Sequence, residues 1–287
     1  MLWITVAMLV GLAVAMYVVS ELTKVEGTPG FTFSVYPWVT TLPETITTTL
    51  LAVSGYYTAA IYNSVFSAVF DLAVGLGLVA VVYGTTEFRL TDLTFLAAVA
   101  ALAFVAADFD GVVDMYDGAM LLVLLFVLIG YSVARYGMFR RPVSRMDVLN
   151  MVIGMAVLGM LGFLYYQYVE QLIPYVGEKL GGIVSATLTS IPDVIVAVVY
   201  GLGEPESQAE LLGAVAHDFV ENVPIAAIAA GLIAGRGIVD TNPMLTVAMT
   251  ALTAATVVFV ASYKRVTRFE GFILLMLFAA CCYVALL

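Results

Sequence analysis

Uninterrupted apolar runs constrain this chain more than any other feature. Separated by charged or Gly/Pro-containing breaks, they reach 18 residues or more, the length needed to cross a hydrocarbon core of about 30 Å. Backbone polar groups inside such a core must be satisfied within the segment, which leaves helices as the spanning element. The runs fall roughly at 1–20, 31–54, 57–83, 91–109, 114–136, 146–169, 174–201, 208–234, 242–262 and 267–287. The expected fold is therefore all-α, a polytopic membrane protein of ten transmembrane helices. The opening MLWITVAMLVGLAVAMYVVSELTK has no basic n-region and no small-residue cleavage site, so it reads as a first span rather than a removable signal.

Charged residues are 11% of the chain, against about a quarter in a soluble domain, and their placement tests the count of spans. With the N-terminus outside, Lys24, Arg89, Arg135, Arg140, Arg141, Arg145, Lys264, Arg265 and Arg268 fall in inner loops. Only Lys179 and Arg236 fall in outer ones. That asymmetry follows the positive-inside rule and puts both termini outside, with the basic linker 138–145 in the cytoplasm. The net charge of −10 does not suggest nucleic acid. Cys281 and Cys282 are adjacent in the last apolar run, which offers neither a disulfide framework nor a metal-thiolate site.

The sequence writes two motifs twice. TTLPETITTTLLAV (40–53) resembles LTSIPDVIVAVVYG (188–201), and MYDGAMLLVLLFVLIGYSV (115–133) resembles RFEGFILLMLFAACCYVAL (268–286). Acid-to-acid separations agree: 73 residues from Glu44 to Asp117, and 77 from Asp193 to Glu270. Each half then holds five spans, residues 1–137 and 146–287. Because five is odd, the second half enters from the opposite side. The halves are inverted repeats, a design in which ions bind at mid-membrane between them.

Proline removes a backbone donor and opens its helix. Pro43 and Pro192 are thus expected to loosen the turns carrying Thr40, Thr41, Thr189 and Ser190, beside Glu44 and Asp193. Hydroxyls, freed carbonyls and a carboxylate are all oxygen ligands of the kind hard cations take, about 6–8 for Ca²⁺. In span three Asn63, Ser67 and Asp71 share one face by their i,i+4 spacing. Span eight carries His217, Asp218, Glu221 and Asn222, with His217 and Glu221 on one face and Asp218 and Asn222 on another. An unpaired charge at this depth costs at least a few kcal/mol, so this density of acids asks for a function.

These residues resemble the cation/calcium exchanger superfamily, which includes the sodium/calcium exchangers. That family repeats a Gly-Thr-Ser-x-Pro-Glu motif, matched by TTLPE (40–44) and LTSIPD (188–193) without its glycine. SAVFD (67–71) matches its Gly-Ser-Asn-x-x-Asn-like segment, with Asp71 in place of an amide. RFEG (268–271) and, more loosely, MYDG (115–118) match its Arg-x-Glu-Gly helix start. The resemblance implies an antiporter that exchanges Ca²⁺ for Na⁺ by alternating access, spans one and six sliding over the other eight. It needs no cofactor and no protein partner beyond inorganic cations and lipid. By position, Glu44 and Asp193 become the central carboxylates. Thr40, Thr41, Thr189 and Ser190 supply oxygens, Ala186 a carbonyl, and Ser67 and Asp71 further ligands. In span eight the acid spacing selects His217 and Glu221, while the glycine at Gly213 selects Asp218 and Asn222; the second choice keeps a terminal amide. The extra acids and the histidine leave coupling to H⁺, or handling of K⁺ or Mg²⁺, as the alternative. Gly154, Gly159 and Gly162 give span six a smooth packing face.

Other polar residues read as structural. Asp117 and Glu270 open helices, where a carboxylate meets the N-terminal dipole. Asp108, Asp110 and Asp114, and likewise Glu204, Glu206 and Glu210, are expected in solvated loops. Thr47 and Thr48 lie one turn beyond the motif, toward an ion path. An intramembrane aspartyl protease would need a Tyr-Asp paired with Gly-x-Gly-Asp. Here YDG at 116–118 faces only GLGEPE from Gly201, and a protease does not explain the inverted repeat.

Overall fold

The computed structural model describes residues 28–139 and 145–287; the expected first span and most of the basic linker lie outside them. Span two is α1 (Pro29–Ser34), α2 (Tyr36–Thr40) and α3 (Leu42–Val53). Span three is α4 (Tyr57–Phe70), a π-helical turn (Asp71–Gly75) and α5 (Leu76–Tyr83). After the short strand β1 (Thr86–Glu87) come α6 (Thr91–Ala107), β2 (Val112–Val113) and α7 (Met115–Tyr136). The second half runs α8 (Arg145–Val176), α9 (Glu178–Tyr200), α10 (Pro205–His217), a second π-helical turn (Asp218–Asn222) and α11 (Val223–Ala234). It ends with β3 (Ile238–Val239), α12 (Pro243–Tyr263), β4 (Arg265–Val266) and α13 (Arg268–Leu286). Among the described residues, six of these rods are long and apolar enough to cross a membrane by length and composition alone.

The two short ladders fix the relation between the halves. β1 pairs antiparallel with β4, Thr86 opposite Val266 and Glu87 opposite Arg265. β2 pairs antiparallel with β3, Val112 opposite Val239 and Val113 opposite Ile238. Thus the connection after span three in the first half lies beside the connection after span nine. The connection after span four lies beside the one after span eight. Consecutive connections sit at opposite ends of a span, so equivalent connections of the two halves lie on opposite faces. That exchange is the inverted topology expected from the repeats. The π turns repeat it, each interrupting the third rod of its half.

The acid–glycine pairs have one purpose in both halves. Asp114 accepts from the backbone of Tyr116 and Asp117, while Asp117 accepts from the Asp114 N–H at 3.1 Å. Glu270 accepts from the Thr267 N–H at 2.6 Å, closing the same capping box on α13. These boxes satisfy donors at the helix start, the structural role expected for both acids. The glycine that follows allows backbone contact. A Cβ on Gly118 would come within 2.8 Å of the Pro224 carbonyl oxygen, and one on Gly271 within 2.8 Å of the Gly77 carbonyl oxygen. Span five therefore packs on span eight as span ten packs on span three.

Two expectations are corrected. Proline breaks only one of the twin motifs: Pro37 and Pro43 each stand at the start of a helical segment, and Thr41 between them leaves helical geometry at ψ 4°. Pro192 lies inside the unbroken helix α9. Asp108 is not in a solvated loop; it is fully buried under the β2–β3 ladder, faces Asp240, and neither of its oxygens finds a hydrogen-bond donor. Asp240 is tied there by its N–H to the Gly111 carbonyl (2.9 Å) and by accepting from Asn242 N (2.7 Å).

Burial, and then Asp240 beside it, push the Asp108 carboxyl up to about 9. Its ordinary value lies near 4, so the folded form holds a proton that the unfolded chain releases. The stabilisation is complete below the unfolded value and is lost as pH rises toward 9. The melting temperature in detergent should fall between pH 5 and pH 9, and Asp108→Asn should flatten that fall; an unchanged slope would contradict it. Gly118→Ala and Gly271→Ala should each destabilise by ~1–3 kcal/mol, the cost of overpacking a close contact, read by the same melting experiment.

Candidate functional site

Asp71 is the fifteenth residue of the rod 57–83 and Asp218 the fourteenth of the rod 205–234. At 1.5 Å rise per residue each lies about 20 Å from its rod's start, near mid-depth. Glu44, three residues into α3, and Asp193, within α9, lie close enough to them to interact. All four are buried, with 1% of Glu44, 1% of Asp71, 4% of Asp193 and none of Asp218 exposed. They interact electrostatically in every pairing: Glu44 with Asp193, Asp71 with Glu44, Asp193 and Asp218, and Asp218 with Glu44 and Asp193. Among the described residues no Lys, Arg or His is among the groups acting on them.

Hydroxyls of each motif stand near the carboxylate of the other, and one of them donates to it. Ser190 Oγ donates to Glu44 Oε1 at 3.2 Å, and Thr189 stands beside the same carboxylate. Thr40, from the first motif, stands beside Asp193. Thr41 and Thr189 spend their protons on helix carbonyls, at Pro37 (2.8 Å) and at Ser185 and Ala186 (3.0 and 3.2 Å). Their oxygen lone pairs remain. Eight buried oxygens here make no hydrogen bond: Thr40 Oγ1, Glu44 Oε2, Ser67 Oγ, both of Asp71, both of Asp193, and Asp218 Oδ2. Buried polar atoms are almost always partnered, so this concentration marks a place built for something other than protein donors.

Span eight divides its polar residues between two sides. Asp218 joins the carboxylate group, and Asn222 Nδ2 holds its Oδ1 at 2.8 Å. His217 Nδ1 and Glu221 Oε2 form a short contact of their own, with Trp38 edge-on to the imidazole at 6.0 Å. Thr45 bridges the two sides, meeting Asn222 Oδ1 at 2.5 Å and Glu221 Oε1 at 3.4 Å. The π turn spans these residues, Asp218–Asn222, and both i,i+4 pairs persist through it. Spacing alone left both pairs open.

Thr47 and Thr48 hydrogen-bond to neighbouring spans. Thr47 donates to the Gly162 carbonyl at 2.9 Å and Thr48 accepts from Asn63 Nδ2 at 2.7 Å. Gly162 explains the closeness of α8: a Cβ there would meet Pro43 Cα and O at 2.9 Å, and one on Gly159 would meet Ile46 Cδ1 at 3.3 Å. Span six thus lies flat on the proline motif, and Tyr165 reaches toward Glu44. Glu210, expected in solvent, is 7% exposed and acts on Asp71 and Asp193. Its place two turns before Asp218 on the same rod was the available signal.

Fold and site together define a membrane transporter of the inverted-repeat type. The profile of the sodium/calcium exchanger protein family matches residues 1–134 and 146–287, and the chain belongs to that family. It is a cation exchanger of the cation/calcium exchanger superfamily. Among solved structures, the sodium-calcium exchanger NCX_Mj soaked with 10 mM Na⁺ and 10 mM Sr²⁺ is 16% identical, with 99% of this chain and 98% of that chain covered and a TM-score of 0.70. The same exchanger soaked without Na⁺ and Ca²⁺ is 18% identical over the same shares, with a TM-score of 0.69. The H⁺/Ca²⁺ exchanger CAX is 15% identical, covering 99% of this chain and 84% of that one, with a TM-score of 0.76. At these identities the likeness concerns the fold. A search of curated proteins gave no match.

Removing one partner of a buried hydrogen bond leaves the other unsatisfied. His217→Leu should therefore destabilise the protein by ~1–3 kcal/mol in detergent melts, and adding Glu221→Met should restore most of the loss. A single variant as stable as the wild type would show that the pair is not held as described.

Proposed function

We propose that the four-carboxylate group is the ion site of a Ca²⁺/Na⁺ antiporter. The observation that carries this reading is the mutual placement of Glu44, Asp71, Asp193 and Asp218, with their unpartnered oxygens, at mid-depth between the repeats. At an effective dielectric of about 20, two like charges roughly 5 Å apart repel by about 3 kcal/mol. Four such groups keep their charge only with cations among them. Thr40, Thr41, Thr189, Ser190 and Ser67 add neutral oxygens, as does the Ala186 carbonyl, completing a set of the size Ca²⁺ takes.

The ion is substrate, and the protein's part is to hold it without a hydration shell. Ca²⁺ offsets two of four negative charges; Na⁺ ions entering the same oxygens offset them singly, so the two occupants displace one another. Alternation follows from the inverted repeat, since each face is the other's mirror in connectivity. Span six, smooth at Gly159 and Gly162 against α3, is the surface along which the gate moves. Asn222 orients Asp218, and the His217–Glu221 pair stands behind it rather than in the ion set. The basic linker 138–145 between the five-helix halves is assigned to the cytoplasm, with both termini outside.

Coupling to H⁺ is the second reading, favoured by Asp71 and Asp218 as carboxylates beyond Glu44 and Asp193, since each can take a proton in place of Na⁺. Proteoliposomes loaded with Ca²⁺ separate the two: efflux is measured against an inward Na⁺ gradient, then against an inward H⁺ gradient. The Na⁺ gradient is expected to drive it. Efflux driven by H⁺ alone would overturn the choice of counter-ion. Glu44→Gln and Asp193→Asn should each cut exchange by at least ~30-fold, the equivalent of about 2 kcal/mol for losing one charged partner. Glu221→Gln should cut it less than Asp218→Asn. Normal exchange in both Glu44→Gln and Asp193→Asn would remove the site from these residues.

A further inference from the structure

Glu210 is a fifth buried acid that the four-carboxylate group does not contain. It hangs from α10 where that helix packs against α9 and the first π turn. The closeness of these elements is set at Gly75, where a Cβ would touch Leu211 Cδ1 at 3.4 Å and Val194 Cγ2 at 3.6 Å. The carboxylate acts on Asp193 and Asp71, on the side of the site toward the start of α10. Its Oε1 has no hydrogen-bond partner, and no basic group is among those acting on it in the described residues. A purely structural acid at this burial would be expected to take a donor.

Two residues before it, Gln208 ties the start of α10 to the β1 end of the molecule. Its Nε2 donates to the Glu87 carbonyl at 2.6 Å and the Leu202 carbonyl at 2.7 Å, and its Oε1 accepts from Arg89 N at 2.9 Å. Glu87, Arg89 and Leu202 also line a cavity of about 350 Å³, together with Val79, Tyr83 and Thr86. Along α10 from that end Gln208 comes first and then Glu210, which acts on Asp193 and Asp71. No equivalent acid stands in the first half: Glu210 lies eight residues before Asp218, and eight residues before Asp71 stands Asn63, an uncharged amide.

We propose that Glu210 is a cation-holding station on the route between the β1–β4 face and the four-carboxylate site, taking a hard cation such as Ca²⁺ or Na⁺ in transit. This rests on the exchange reading above and adds an asymmetry to it. Only one face has a carboxylate waiting between entrance and site. A station that binds weakly and passes its ion on speeds entry without adding to equilibrium occupancy.

Glu210→Gln keeps the shape and removes the charge, and Glu210→Asp keeps the charge and shortens the reach. Both are compared with wild type for Ca²⁺ bound at equilibrium in detergent, and for Ca²⁺ uptake in vesicles of each orientation. Glu210→Gln is expected to leave equilibrium binding within ~3-fold while slowing uptake from the β1–β4 face ~10-fold, the low end of electrostatic steering. Uptake from the other face should hardly change, and Glu210→Asp should fall between. Equal slowing from both faces, no slowing, or lost equilibrium binding would each overturn the station. Wild-type vesicles that move no Ca²⁺ would overturn the exchange reading and this one with it, whereas wild-type exchange with an indifferent Glu210→Gln would overturn this one alone.

Discussion

Four carboxylates held at mid-depth, with no basic group among the described residues to answer them, set the terms for the rest of this molecule. Their mutual repulsion grows as water is excluded, and a lipid-embedded helix bundle offers no surface on which to relax it. Everything near them fits that pressure. Hydroxyls from each motif turn toward the opposite repeat's acid, Asn222 holds one oxygen of Asp218, and the remaining oxygens are left without protein donors. His217, the one histidine of the chain, is not among the groups acting on the four carboxylates; it contacts Glu221 instead.

The inverted repeat makes this arrangement possible. Each half brings one acid on the second of its five spans and one on the third, and the inversion makes the two sets approach from opposite faces. The β1–β4 and β2–β3 ladders fasten the halves at both ends. Gly118 and Gly271 draw spans five and ten against spans eight and three, and these are the rods that carry the π turns. Symmetry is broken where function would break it. Proline opens the helix at Thr41 but not at Pro192, and Glu210 has no counterpart before Asp71.

The sequence carried the parts of this account that depend on period, length and repetition. Apolar runs gave the spans, and twin proline–acid and acid–glycine motifs gave the inverted halves. Glu44, Asp193 and Asp71 were legible because an acid in lipid needs a reason. In span eight i,i+4 counting gave the two pairs, Asp218–Asn222 and His217–Glu221, but not which of them faces the other carboxylates, since that depends on how the rod is turned against its neighbours. Asp108 and Glu210 were placed in solvent because both lie near the ends of apolar runs. Their burial depends on what packs over them: the β2–β3 ladder in one case, α9 and the first π turn in the other. Thr47 and Thr48 stand one turn beyond the motif, and their contacts with Gly162 and Asn63 could not be read from spacing.

In the reading proposed above, these four carboxylates are gathered to hold a cation. Diffraction from crystals soaked in Sr²⁺, a heavier analogue of Ca²⁺, tests it most directly through the anomalous signal of the ion. The account predicts a peak enclosed by Glu44, Asp71, Asp193 and Asp218, within bonding distance of their carboxylate oxygens. A peak elsewhere in the bundle, or none among these four side chains at a Sr²⁺ concentration that saturates exchange, would contradict it.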